Sequence, residues 1–103
     1  MKKIVLAALL ISSSLIAKEY IVDQKNKTFI PGVLNVKVGD TITFTNSDPL
    51  SHNAYTDDVG NEFDIGMQKK GVRKSVKIKK AGKFEIRCAI HPHMLIKVTA
   101  TDK

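Results

Sequence analysis

The chain has 103 residues, with 17 lysines and arginines against 10 aspartates and glutamates and a formal net charge of +7. That length allows one small hydrophobic core and leaves no room for a second domain. A single cysteine excludes an internal disulfide, so in an oxidising compartment it calls for an intermolecular bridge, a reactive thiol or a metal thiolate.

Met1-Lys2-Lys3 is a short basic start, Ile4 to Ile11 is an apolar run, and Ser12 to Ala17 supplies small residues before the polar Lys18-Glu19. That order of parts is the order of a secretory signal peptide. The run is too short and too rich in serine for a membrane span, and it holds no cysteine for a lipid anchor. The chain is therefore read as a signal peptide over residues 1–17 and an exported domain over residues 18–103, located in the periplasm and free of the membrane once the signal is cut.

From Lys18 onward the periodicity is mostly two. Glu19 to Asp23 is β-prone, and Asn26-Lys27 reads as a turn before Phe29-Ile30. Leu34, Val36 and Val38 alternate with Asn35 and Lys37, which predicts a strand with one apolar face, and Gly39-Asp40 turns the chain. Ile42 and Phe44 alternate with threonines in a second strand that ends at Asn46-Ser47-Asp48-Pro49, a loop by composition.

The acidic stretch Asp57 to Glu62 has too little apolar content for a core element and is expected to be a surface loop. Val76 and Ile78 face inward in a strand near Arg73 to Lys79, Ala81-Gly82 makes a turn, and Phe84, Ile86 and Cys88 share the buried face of the next strand. Leu95 to Thr101 is the last. Seven to eight short strands with turns at intervals of about 8–12 residues predict an all-β domain, an antiparallel Greek-key sandwich.

The stretch Cys88-Ala89-Ile90-His91-Pro92-His93-Met94 carries the chemistry. It holds a thiolate, imidazoles and a thioether, a donor set that suits a soft or borderline metal such as copper better than Mg²⁺ or Ca²⁺. Trigonal copper sites of this kind take two histidines and a cysteine with a weak axial methionine. His52 lies outside this stretch and can supply the missing imidazole. Within it, His91 is preferred to His93, because adjacent residues of an extended segment point to opposite sides and His93 precedes Met94.

With these residues in view the chain resembles the cupredoxins, and its ligand loop is similar to that of amicyanin: cysteine, two residues, histidine, two residues, methionine. The resemblance extends over Val36 to Phe44, His52-Asn53, Phe63-Asp64, Ala81 to Phe84 and Cys88 to Met94. It implies one copper ion, with His52, Cys88 and His91 as equatorial ligands and Met94 as the axial one. It also implies that Asn53 ties the two ligand segments together. Two departures stand out. Ile90 replaces the usual proline, so its N–H is expected to donate a second hydrogen bond to the Cys88 sulfur. Leu95-Ile96 stands where relatives carry lysine-glycine.

The function implied is transfer of single electrons between Cu(I) and Cu(II), through His91, by a monomer that meets its redox partners transiently. Pro49, Leu50, Ile90 and Pro92 would form the contact patch. Eight basic residues without an acidic one between Lys69 and Lys83 point to an acidic partner or to simple solubility. His93 is expected to be a surface ring beside the site that makes it sensitive to pH. The rival reading is a periplasmic copper carrier or storage protein that uses the same ligands, with Met67, Met94 and His93 forming a softer or more open site. Three histidines are too few for a multicopper oxidase, no nucleophile and base pair is visible, and so no enzyme is expected. The basic residues are not interleaved with stacking aromatics, which argues against nucleic acid.

Overall fold

The computed structural model describes residues 16–102, so the signal peptide expected over residues 1–17 falls almost wholly outside the described residues. In chain order the strands are β1 (Glu19–Lys25), β2 (Thr28–Ile30), β3 (Val33–Lys37), β4 (Thr41–Asn46), β5 (Tyr55–Thr56), β6 (Phe63–Asp64), β7 (Lys74–Lys77), β8 (Gly82–Arg87) and β9 (Leu95–Thr101). One sheet has the order β2-β1-β4-β7 and the other β3-β9-β8-β5-β6. The fold class expected from the alternation is the one observed, with two differences of detail.

First, each sheet contains a parallel pair: β1 runs alongside β4 from Glu19↔Thr41 to Gln24↔Asn46, and β3 alongside β9 from Val33↔Lys97 to Lys37↔Thr101. Period-two alternation is the same for a parallel and an antiparallel neighbour, so strand direction leaves no mark in the local pattern. Second, there are nine strands among the described residues. The additional ones are the two-residue strands β5 and β6, which pair across the acidic loop as Tyr55↔Asp64 and Thr56↔Phe63.

The core forms where the alternating faces meet. Val22, Phe29, Ile42, Phe44 and Ile78 from one side pack with Leu34, Val36, Phe84, Ile86, Ile96 and Val98 from the other, all buried. Phe44 is the centre of an aromatic row, 6.3 Å from Phe29 and 6.1 Å from Phe63 between ring centroids, distances at which aromatic pairs gain from their quadrupoles as well as from burial.

Three connections gather at one end of the sandwich: the β1–β2 turn, the β4–β5 segment and the β8–β9 segment. The first is set locally. Asn26 and Lys27 both take positive φ, 54° and 55°, the backbone of a two-residue hairpin turn whose twist matches its strands. The other two are set by pairing, since Gln24 lies beside Asn46 and Arg87 beside both Tyr55 and Leu95.

Asp40 fastens the opposite end. Its carboxylate accepts hydrogen bonds from the backbone N–H of Lys18 (3.0 Å) and of Lys37 (2.8 Å), after Gly39 turns the chain with φ 98°. Burial by itself would raise the Asp40 carboxyl, but these two donors, aided by the lysine charges, hold it below its ordinary value of 3.8. Asp40→Ala should lower the free energy of unfolding by about 2–3 kcal/mol, the scale of charge-assisted hydrogen bonds. Because the native carboxyl is lowered, this contribution is complete above the ordinary value and is lost as the pH falls toward the native one. Urea titrations should therefore show the gap between parent and variant narrowing between pH 5 and the acid limit of folding.

Candidate metal centre

Cys88 follows directly on the last residue of β8 and continues the inward alternation of Phe84 and Ile86, so its sulfur is delivered to the interior, 1% exposed. His52 reaches the same point from the β4–β5 segment and is fully buried. His91 is half-buried. His52 Nδ1 and His91 Nδ1 face each other at 3.0 Å, and His91 Nδ1 is 3.8 Å from Cys88 Sγ. The three donor atoms all lie within 4.8 Å of one another. Met94 is buried at 1% exposure and its N–H donates to the His91 carbonyl at 2.8 Å, closing the loop behind the histidine.

The first histidine is fixed from two sides. Its backbone forms an isolated antiparallel bridge with Gln68, N–H to carbonyl in both directions at 3.1 and 2.7 Å. Gln68 is itself fully buried, donating from Nε2 to the Phe44 carbonyl and accepting at Oε1 from Gln24 Nε2. The His52 ring is held by Asp48, whose Oδ2 lies 2.7 Å from Nε2. An ionised carboxylate only accepts, so Nε2 carries the hydrogen and Nδ1 of the neutral ring presents a lone pair. His91 Nδ1 faces that lone pair: with a proton it donates to it, and without one it offers a second nitrogen to a cation. Two imidazole nitrogens and a cysteine sulfur make a donor set that fits a soft or borderline metal.

Charge around the site favours this state. The Asp48 carboxyl is held below the usual range by the Lys27 N–H and by the His52 ring. The His91 ring is lowered chiefly by desolvation, and further by the Lys27 charge and the neighbouring rings, which favours the neutral imidazole that metals bind.

Asn53 joins the two segments, in a richer way than expected. Its backbone N–H donates to Cys88 Sγ at 3.3 Å, while its side-chain oxygen accepts from the Ala89 N–H at 3.1 Å and its amide donates to Asp64 at 2.6 Å. The structure thus gives the sulfur its backbone hydrogen bond from Asn53. Ile90, expected to donate to that sulfur, forms no such bond among the described residues. Directly after Cys88 the Ala89 N–H is bonded to Asn53, and the Ile90 side chain is 51% exposed. His93 is exposed, its ring centroid 6.2 Å from that of His91, as a neighbour of the site.

Asp48, Gln68 and Gln24 were not legible as site residues. Asp48 sits in a stretch whose composition says loop, and only its spacing of four residues before His52 hints at a contact. Gln68 and Gln24 carry no signal at all, since a glutamine in a strand or loop is ordinarily solvated.

A family model described as Cupredoxin-like domain matches residues 3–100. The methylamine utilization protein MauL of Methylorubrum extorquens is 41% identical over 63 residues, 60% of this chain and 54% of that protein, so the chain spans about half the length of this relative. Among solved structures, a reduced tyrosine-for-tryptophan mutant of amicyanin superposes with a TM-score of 0.69 at 32% identity, over 78% of this chain and 79% of that one. A purple cupredoxin from Nitrosopumilus maritimus shares the fold, with a TM-score of 0.69 at 24% identity over 79% of this chain and 98% of its own.

Replacing Asn53 by Ala removes the acceptor for Ala89 and the donor to Asp64 while leaving the backbone bond to sulfur. It should destabilise the copper-free protein by about 1–3 kcal/mol, the cost of stranding buried partners, measured by urea denaturation. Asn53→Asp should be worse than Asn53→Ala, because it sets a second carboxylate against Asp64.

Proposed function

The chain belongs to the cupredoxin-like family, and from that premise we propose that it is an exported electron carrier that holds one copper ion on His52, Cys88 and His91, with Met94 as the axial ligand. The observation that carries this reading is the convergence of His52 Nδ1, His91 Nδ1 and Cys88 Sγ within 4.8 Å. Copper bound there supplies a one-electron couple between Cu(I) and Cu(II). The protein's part is to keep the donors in one arrangement through both states. Gln68 and Asp48 hold His52, Asn53 holds the start of the cysteine loop, and Met94 closes it at His91.

Export rests on residues 1–17, whose basic start, apolar run and small residues match a signal peptide, and it places the mature domain in the periplasm. Burial favours retention of the ion over its release, since His52 and Cys88 are 0% and 1% exposed. This supports electron transfer over the carrier or storage reading and over any catalytic role, which would need an open coordination position.

His91 is the half-buried ligand and the natural exit for the electron. On the two segments that carry His52 and His91, Leu50 and Ile90 are 43% and 51% exposed and Pro49 and Pro92 are exposed, apolar surface that suits a brief encounter burying less than about 1,200 Å². Lys27 brings positive charge close to His91, and Lys69 and Lys70 follow directly on Gln68. The rest of the basic run continues onto β7, an edge strand, where lysines also guard against pairing with another sheet. Site-end lysines thus serve an acidic partner, while the distant ones serve solubility.

Reconstitution with copper should give intense visible absorption from the Cu(II)–thiolate and a reversible voltammogram, and a colourless product would overturn the reading. With an acidic redox partner, Lys69→Glu combined with Lys70→Glu should slow association several-fold at low ionic strength. The difference should vanish near 1 M salt, where the screening length is about 3 Å. A difference that is independent of salt would remove the steering argument.

A further inference from the structure

The buried carboxylate of Asp48 has a feature that the copper reading does not require: one of its oxygens serves two masters in different parts of the chain. Oδ2 accepts from His52 Nε2 at 2.7 Å and from the Lys27 backbone N–H at 2.9 Å. Lys27 lies in the β1–β2 turn, at a position of positive φ, the backbone of a tight two-residue hairpin. Asp48 is placed in turn by Asn46, whose Oδ1 accepts the Asp48 N–H at 2.8 Å and whose Nδ2 donates to the carbonyls of Leu50 (3.0 Å) and Gln68 (2.9 Å). Asp48 is 6% exposed and His52 is 0%, so the pair is shielded from competing water.

We propose that Asp48 is a positioning residue for the metal centre, which locks His52 in the Nε2–H tautomer, aims its Nδ1 lone pair at His91 and Cys88, and anchors the ring to the β1–β2 turn. Its negative charge beside a ligand also favours the more highly charged oxidised ion. Partners of this kind on ligand histidines raise ligand basicity, and losing them weakens metal binding about 10–100-fold. The inference rests on the copper reading for its effect on the ion, but the tautomer is a property of the copper-free protein and stands by itself.

A purely structural Asp48, which only caps the β1–β2 turn through Lys27, predicts a different outcome. Asp48→Asn can keep an oxygen at the Oδ2 position, preserving both hydrogen bonds while removing the charge. Asp48→Ala removes everything. Nitrogen-detected NMR of the copper-free parent should show His52 as the Nε2–H tautomer, and Asp48→Ala should show a mixture. In the copper-loaded protein, Asp48→Asn should shift the Cu(I):Cu(II) ratio at fixed potential at least tenfold toward Cu(I), a rise of about 59 mV for one electron. Its fold, judged by β-sheet circular dichroism, should be unchanged. Asp48→Ala should weaken copper binding at least tenfold, measured by competition with a chelator.

If His52 keeps one tautomer in Asp48→Ala, or if Asp48→Asn leaves the potential where it was, the proposal is overturned. Should Asp48→Ala fail to fold, the potential of Asp48→Asn decides. A parent protein that takes up no copper sinks the electron-carrier reading instead, and the tautomer measurement still decides whether Asp48 orients His52.

Discussion

Two imidazole nitrogens 3.0 Å apart, with a buried thiol sulfur 3.8 Å from one of them, do not gather in the interior of a small protein unaided. Each is a polar atom withdrawn from water, and each lies on a segment that would relax apart if it were free to do so. The structure meets this demand mostly with bonds to neighbouring atoms, and with one from Asn53 to the sulfur itself. Asn53 spans the two segments through its backbone and both ends of its side chain, Gln68 bridges the backbone of His52, and Asp48 occupies the far nitrogen of the same ring. What remains at the centre is three donor atoms within 4.8 Å of one another.

The sandwich makes these ties rigid. Asn46 ends β4, Tyr55 begins β5, Arg87 ends β8 and Leu95 begins β9, so both ligand-bearing segments are short spans between paired strands. The parallel pairing of β1 with β4 brings the β1–β2 turn to the same end, where Lys27 meets Asp48. A buried polar layer of Gln24, Asn46 and Gln68 underlies the site, and almost every group in it has a partner, the exception being Gln24 Oε1. Such a layer resists rearrangement because any shift strands several buried hydrogen-bonding groups at once, and resistance to rearrangement is what rapid exchange of a single electron requires of a ligand cage.

The basic charges of this chain spread from one end of the sandwich toward the other. The basic run begins with Lys69 and Lys70 beside Gln68, at the metal end, and continues through Lys74 and Lys77 of the edge strand β7 toward the turn that Asp40 fastens. The lysines nearest the site add to the positive potential that Lys27 already supplies at His91. Those farther away keep an exposed strand edge from recruiting another sheet.

Much of this was written locally. The alternation of Leu34 with Val36, of Ile42 with Phe44, and of Phe84, Ile86 and Cys88 announced the strands and their buried faces, because a period of two is a property of neighbouring residues. The short spacing from Cys88 to His91 was legible for the same reason, and the structure brings those two side chains together with His52. Tertiary structure alone decided the rest. Strand direction depends on which strand arrives alongside, so the two parallel pairs were invisible. The hydrogen bond from the Asn53 N–H to the sulfur joins positions 35 residues apart, and Ile90 adds no second one among the described residues. Asp48 and Gln68 look like solvated loop residues until the fold buries them against His52, for the partners that satisfy a buried polar group are set by proximity in space, and proximity in space is what local sequence does not contain.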